Sequence, residues 1–132
     1  LWVYAYDLEP ALLAKNEIKK AIIDVTTRNR RADIRLLVGD IRPVVSYDHP
    51  LIEVSQRMSS FIEIRQLPDN FQIKDELLLI IDDHCWLQLE PASSYQGKLS
   101  RNNSATCKEL KIRFDRMWEE SFRPTDVLRL HL

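Results

Sequence analysis

Residues 77–81, Leu-Leu-Leu-Ile-Ile, form the longest apolar run in the chain and carry charge on both sides. Five bulky aliphatic residues in a row read as a strand buried on both faces, because a half-exposed strand would alternate. Asp82-Asp83-His84 makes a tight polar break. Cys85, Leu87 and Leu89 then alternate with Trp86, Gln88 and Glu90, which marks a return strand. The stretch 74–90 is therefore a hairpin whose first strand lies in the middle of a sheet, and the rest of the chain has to cover it.

Residues 1–6 (LWVYAY) are aromatic and β-branched, a strand by composition. Pro10 suits the first turn of a helix. Ala14, Ile18, Ala21, Ile22 and Val25 recur at helical spacing, so one helix is expected from Pro10 to about Thr27. Ile34–Val38 is the next strand, ended by Gly39-Asp40. Strand, helix and strand with short loops make a βαβ unit with parallel strands and a right-handed crossover. Residues 41–48 are expected to be irregular. Asp48 or His49 can cap a helix that begins at Pro50. Residues 61–66 alternate as a strand, and 67–71 are a turn. Residues 91–103 are polar and read as the longest loop. Asn103 or Ser104 can cap a last helix with the stripe Cys107, Leu110, Phe114, Met117 and Trp118, stopped at Pro124. Val127, Leu128 and Leu130 suit a short closing strand. The expected class is α/β, a layered sheet of mixed, largely parallel strands flanked by helices in one domain spanning residues 1–132.

At 132 residues with 45% hydrophobic and 30% charged side chains, the chain has the balance of a soluble globular domain. A net charge of −1 gives no whole-molecule attraction to nucleic acid or anionic membranes. Arg28, Arg30, Arg31, Arg35 and Arg42 cluster, but no aromatic side chain is interleaved for base stacking, so a solvated helix end is the better reading. No apolar run approaches the roughly 20 residues that span a bilayer. Only Gly39 and Gly97 occur, which excludes a glycine-rich phosphate loop. Cys85 and Cys107 lack metal-ligand spacing and suit buried thiols in a reducing compartment, with the cytoplasm as the expected location.

The segment KDELLLIIDDHCWL resembles the phospholipase D superfamily at its catalytic hairpin, where the pattern is His-x-Lys-x-x-x-x-Asp. With Asp82 on the motif's Asp, its His falls on Asp75 and its Lys on Leu77. RRADIRLLVGD is similar to the superfamily's opening βαβ, SSFIEIRQL to the strand before the hairpin, and LKIRFDRMWEES to its closing helix. The resemblance implies a single phospholipase-D-like lobe akin to uncharacterised bacterial domains with a degenerate form of that fold. It also implies lost catalysis, since Leu77 offers neither charge nor hydrogen bond and Asp75 would repel a phosphodiester. Active members pair two copies about a twofold, so the resemblance implies a homodimer or another protein partner.

Three functions are expected in order. The first is an inactive domain serving as an interaction, assembly or accessory module, needing no cofactor and no metal. The second is a residual phosphodiesterase or nuclease built on Asp7, Asp40, His49 and Asp82, because ligands bind at the carboxyl ends of strands in open α/β sheets. Asp is also a common strand terminator and cap, and His49-Pro50 is equally a helix start. The third is a small-anion binder using Arg57, Arg65 or Arg101, with an internal ion pair as the simpler use of Arg65. Trp86 and Leu77 are the expected anchors of a dimer edge.

Overall fold

The computed structural model describes residues 1–71, 76–91 and 96–131. In chain order these form β1 (Trp2–Ala5), α1 (Pro10–Leu13), α2 (Asn16–Arg28), β2 (Ile34–Val38), α3 (Ile41–Ser46) and α4 (Pro50–Arg57). They continue with β3 (Ile62–Gln66), a 3-10 turn (Asp69–Phe71), β4 (Leu77–Ile80), β5 (Trp86–Glu90), β6 (Gln96–Ser100), α5 (Ser104–Glu120) and α6 (Thr125–His131).

The six strands make one sheet in the order β3-β2-β1-β4-β5-β6. β1 pairs with β2, and β2 with β3, in parallel, as the βαβ reading requires. The pairs β1–β4, β4–β5 and β5–β6 are antiparallel. The sheet is thus mixed, as expected, but not largely parallel. Parallel neighbours need a crossover of a dozen or more residues, and only the first half of the chain supplies helices between its strands. The short β4–β5 and β5–β6 connections can only reverse direction.

The hairpin stands where its sequence places it. β4 lies between β1 and β5, with Leu77 and Leu78 0% exposed and Ile80 2%. Leu79 is half-buried and Ile81, just past the strand, is 49% exposed, so one face of β4 is sealed along its length and the other only at Leu77.

Each face of the sheet has its own core. On one face α2 and α4 cover the parallel half, and Ile22, Leu51, Ile52 and Val54 pack on Val3, Leu36, Val38 and Ile64. On the other face α5 lays Cys107, Leu110, Phe114, Met117 and Trp118 over Tyr4, Leu37, Leu78, Ile80 and Trp86. Asn103 caps α5 by accepting from the Thr106 N–H at 3.1 Å.

Four local expectations change. The first helix is two, with Lys15 extended between them. At 100° per residue Leu13 would sit opposite Ile22 on one continuous helix, yet both are buried. Breaking the helix lets both reach the core. Residues 41–46 are helical because Asp40 caps them, its Oδ1 accepting from the Arg42 N–H at 3.0 Å, while Pro43 falls in the first turn where its missing N–H costs nothing. The expected loop at 91–103 contains β6. Gly97 makes that strand possible: a Cβ there would stand 1.9 Å from the Gln88 carbonyl oxygen. The C-terminal segment is α6, not a strand. Pro124 precedes it, Asp126 sits in its first turn, and Val127 and Leu128 pack against the first core.

Candidate functional site

The carboxylates of the expected phosphodiesterase site do not meet. β4 runs antiparallel to β1 with Ile80 opposite Trp2, so Asp82 lies at the end of the sheet where β1 begins. Asp7 and Asp40 follow the other ends of β1 and β2. The four residues of β1 separate them, about 13 Å at the ordinary rise per residue. This corrects the grouping of Asp82 with Asp7 and Asp40.

Each of these groups already has local partners. Asp7 Oδ1 accepts from the Glu9 N–H at 3.1 Å. Asp40 receives two hydrogen bonds from the Arg42 guanidinium, at 3.0 and 2.8 Å, which hold its carboxyl below the usual carboxylate range. His49 is 2% exposed and caps α4. Its Nδ1 accepts from the Leu51 N–H at 3.1 Å, and its Nε2, 3.0 Å from the Leu8 carbonyl oxygen, donates in the tautomer this pattern fixes. Burial pushes the His49 pKa down, against the pull of the Leu8 carbonyl and the Asp7 charge. Asp82 Oδ1 accepts from the His84 and Cys85 N–H groups at 2.7 and 2.8 Å, and those bonds lower its pKa. Asp82 is thus the side-chain bracket of the β4–β5 turn. Among the described residues no three His, Cys, Asp or Glu side chains are placed to hold a metal ion.

The arginines do not converge either. Arg57 is exposed at the end of α4, 3.8 Å from Glu53. Arg101 is exposed beyond β6, at the opposite margin of the sheet. Five strand spacings, about 24 Å, lie between those margins. Arg65 is paired with Glu63, lies 4.8 Å over the Trp118 ring and donates to the Trp118 carbonyl at 3.2 Å. Burial raises the Glu63 pKa, but hydrogen bonds from Arg65 and Arg123 outweigh it and hold the carboxyl below its ordinary value. Arg65 belongs to an internal stack, with Arg35 between Trp2 and Trp118 at 4.5 and 5.5 Å. The basic cluster is likewise spent in part on neighbours: Arg28 pairs with Asp24, Arg35 with Asp33 and Asp115, and Arg42 with Asp40.

The expected dimer edge is corrected too. Leu77 is fully buried in the first core, and Trp86 is 5% exposed in the second. Side chains sealed in the two cores cannot reach a partner. Asp75 lies outside the described residues.

What remains open is the sheet face beside α2. Leu79 stands opposite Val3 on β1 and Leu87 on β5, and Leu87 stands opposite Leu99 on β6. Residues in register share a face, so this row continues the covered core outward. α2 lies over the parallel strands and Leu89 at the end of β5 packs against the first core, while among the described residues no helix makes an extended contact with β6. Leu99 is 59% exposed, and Leu79, Leu87 and Leu89 are half-buried. Ile81 at the end of β4 and Val25 on α2, 46% exposed, border the same surface. The polar composition of residues 91–103 hides this face in the sequence, because it gives Leu99 no strand. The alternation of Leu87 and Leu89 was the available signal.

The architecture defines an α/β protein built on a six-stranded mixed sheet. Residues 1–130 match a family described as Domain of unknown function (DUF7931), and the chain belongs to that family. No curated protein and no solved structure matches it. The family match overturns the phospholipase D assignment. The hairpin that carried the resemblance is explained without it: an apolar central strand, an Asp-bracketed turn and a return strand are what this sheet requires at that place.

Proposed function

We propose that this domain is an interaction module that docks through the open apolar face of β5 and β6, which continues outward from Leu79, and that a second copy of the chain is the occupant. The observation behind this reading is the row Leu79–Leu87–Leu99, which extends a covered core onto open sheet. Monomeric proteins rarely leave contiguous apolar surface of this kind unpartnered. An uncharged patch is complementary to itself, and a twofold axis through it brings each copy's leucines onto the other's. The face serves better than the neighbouring edge. β6 is a short strand carrying Lys98, Gln96 and Ser100, the kind of polar edge that resists strand pairing.

Light scattering on the full chain at micromolar concentration tests this. The wild type should show a mass between one and two protomers that rises with concentration. Leu99→Lys should weaken association at least tenfold, about 1.4 kcal/mol, without loss of fold, because Leu99 is mostly exposed. A wild type that stays monomeric throughout, or a Leu99→Lys variant that associates unchanged, would remove this reading.

A further inference from the structure

Between α2 and the sheet lies a second feature, a pocket of about 310 Å³ lined by Val3, Ala21, Val25, Leu36, Leu79 and Ile81 among other aliphatic residues. We infer that it is a binding site for a single-chain aliphatic carboxylate of medium length. Every lining residue is apolar, so a polar ligand would lose its hydration there with nothing in return. No aromatic side chain lines it, so nothing selects a flat ring by stacking. The floor is firm, with Val3, Ile34, Leu36 and Leu51 each 1–2% exposed, while Val25 and Ile81 stand at the mouth. An aliphatic cavity of about 150 Å³ holds benzene, so this volume admits a chain of roughly ten carbons.

The head group is set by what the mouth opens onto. The pocket shares Leu1, Val25, Ile34 and Ile81 with a polar cleft of about 310 Å³ that also holds Asn29, Arg31, Asp33, Asp82 and Lys111. The charges there are mostly matched. Asp33 pairs with Arg35 at 3.2 Å, Lys111 with Asp83 at 2.7 Å, and Asp82 accepts two backbone N–H groups. Arg31 is the cation of the cleft whose guanidinium has no carboxylate partner among the described residues. A chain seated among the leucines and isoleucines leaves its carboxylate at the mouth, where a guanidinium fork suits it. The pocket shares Leu79, Val25 and Ile81 with the margin of the docking face, and Leu99, which belongs to the face and not to the pocket, lets the two fail separately.

Isothermal titration calorimetry of the full chain with decanoate, and with decanol as the neutral comparison, is the test. Decanoate should bind saturably at one per chain and more tightly than decanol. Ala21→Trp changes an exposed helix position, so it leaves the fold intact while filling the pocket, and it should weaken decanoate binding at least tenfold. Arg31→Ala should remove the advantage of decanoate over decanol. Leu99→Lys, which breaks association, should bind decanoate at least as tightly as the wild type does. Absence of saturable binding, binding insensitive to Ala21→Trp, or decanol binding as tightly as decanoate in the wild type would each overturn the inference. Binding lost in Leu99→Lys but kept in Ala21→Trp would place the ligand on the open sheet face, and would overturn it as well.

Discussion

Leu78→Ala should lower the unfolding free energy by about 3 kcal/mol, within the range of roughly 2–5 kcal/mol for truncating a fully buried leucine. Leu78 is 0% exposed and stands between Tyr4 on β1 and Gln88 on β5. It faces α5 in the core that holds Phe114 and Trp118. Close-packed surroundings relax only in part around a removed isobutyl group, so the cost includes a cavity as well as lost transfer energy. Urea denaturation would show it as a lower midpoint at unchanged slope. Leu99→Ala is the paired control: a side chain 59% exposed should cost under about 0.5 kcal/mol in the monomer. Equal effects of the two substitutions would mean that β4 is not the centre of the structure.

That contrast between two leucines marks how far the sequence could be read. Residues 77–81 mark a central strand because an unbroken aliphatic run suits a strand with neighbours on both sides, although Leu79 is only half-buried and Ile81 is exposed. Ile34–Val38 and the helix from Pro50 to Arg57 were legible from local signals, an apolar stretch ended by Gly39-Asp40 in one case and a His-Pro cap in the other. β6 was not legible. Its strand has no apolar pattern, since its side chains face solvent or open sheet, and its pairing rests on a glycine that allows close backbone approach. Strand direction was also beyond local patterns. The antiparallel pairing of β4 with β1 is a long-range choice, and it alone carries Asp82 to the far end from Asp7 and Asp40. In the sequence the charged candidates look like a site because strand ends gather Asp and Arg. The same residues are what a chain needs to cap helices and bracket turns, and that is how Asp40, His49 and Asp82 are used. The docking face was hidden for the reverse reason, since its residues are ordinary strand leucines made distinctive only by what fails to cover them.

His49 carries the second large expected effect. It joins two segments 41 positions apart, donating to the Leu8 carbonyl and accepting from the Leu51 N–H. The Leu8 end is strained, with φ of 56° at Leu8 and 35° at Glu9, a region that non-glycine residues enter only under constraint. His49→Asn keeps a capping side chain for α4 but is too short to reach Leu8. It should cost about 2–3 kcal/mol at pH 7.5, from an orphaned buried carbonyl and the space left by the ring. The pH dependence follows from burial, which depresses the pKa in the fold. A depressed histidine pKa means the unfolded chain binds more protons, so stability is fully present above the unfolded value of about 6.5 and falls as pH drops below it. The wild type should therefore lose stability between pH 7.5 and pH 5, while His49→Asn, with nothing to titrate there, should lose less. The gap between them should narrow on acidification. Other groups that titrate in this window cancel in the difference. Asp7 is the charge that opposes the shift. Asp7→Asn can still accept from the Glu9 N–H, so it should steepen the wild-type slope without breaking the turn. Denaturant midpoints of the three chains at both pH values decide the matter. A gap that stays constant would show that His49 keeps an ordinary pKa in the fold, and that the link between Leu8 and α4 is made without excluding water.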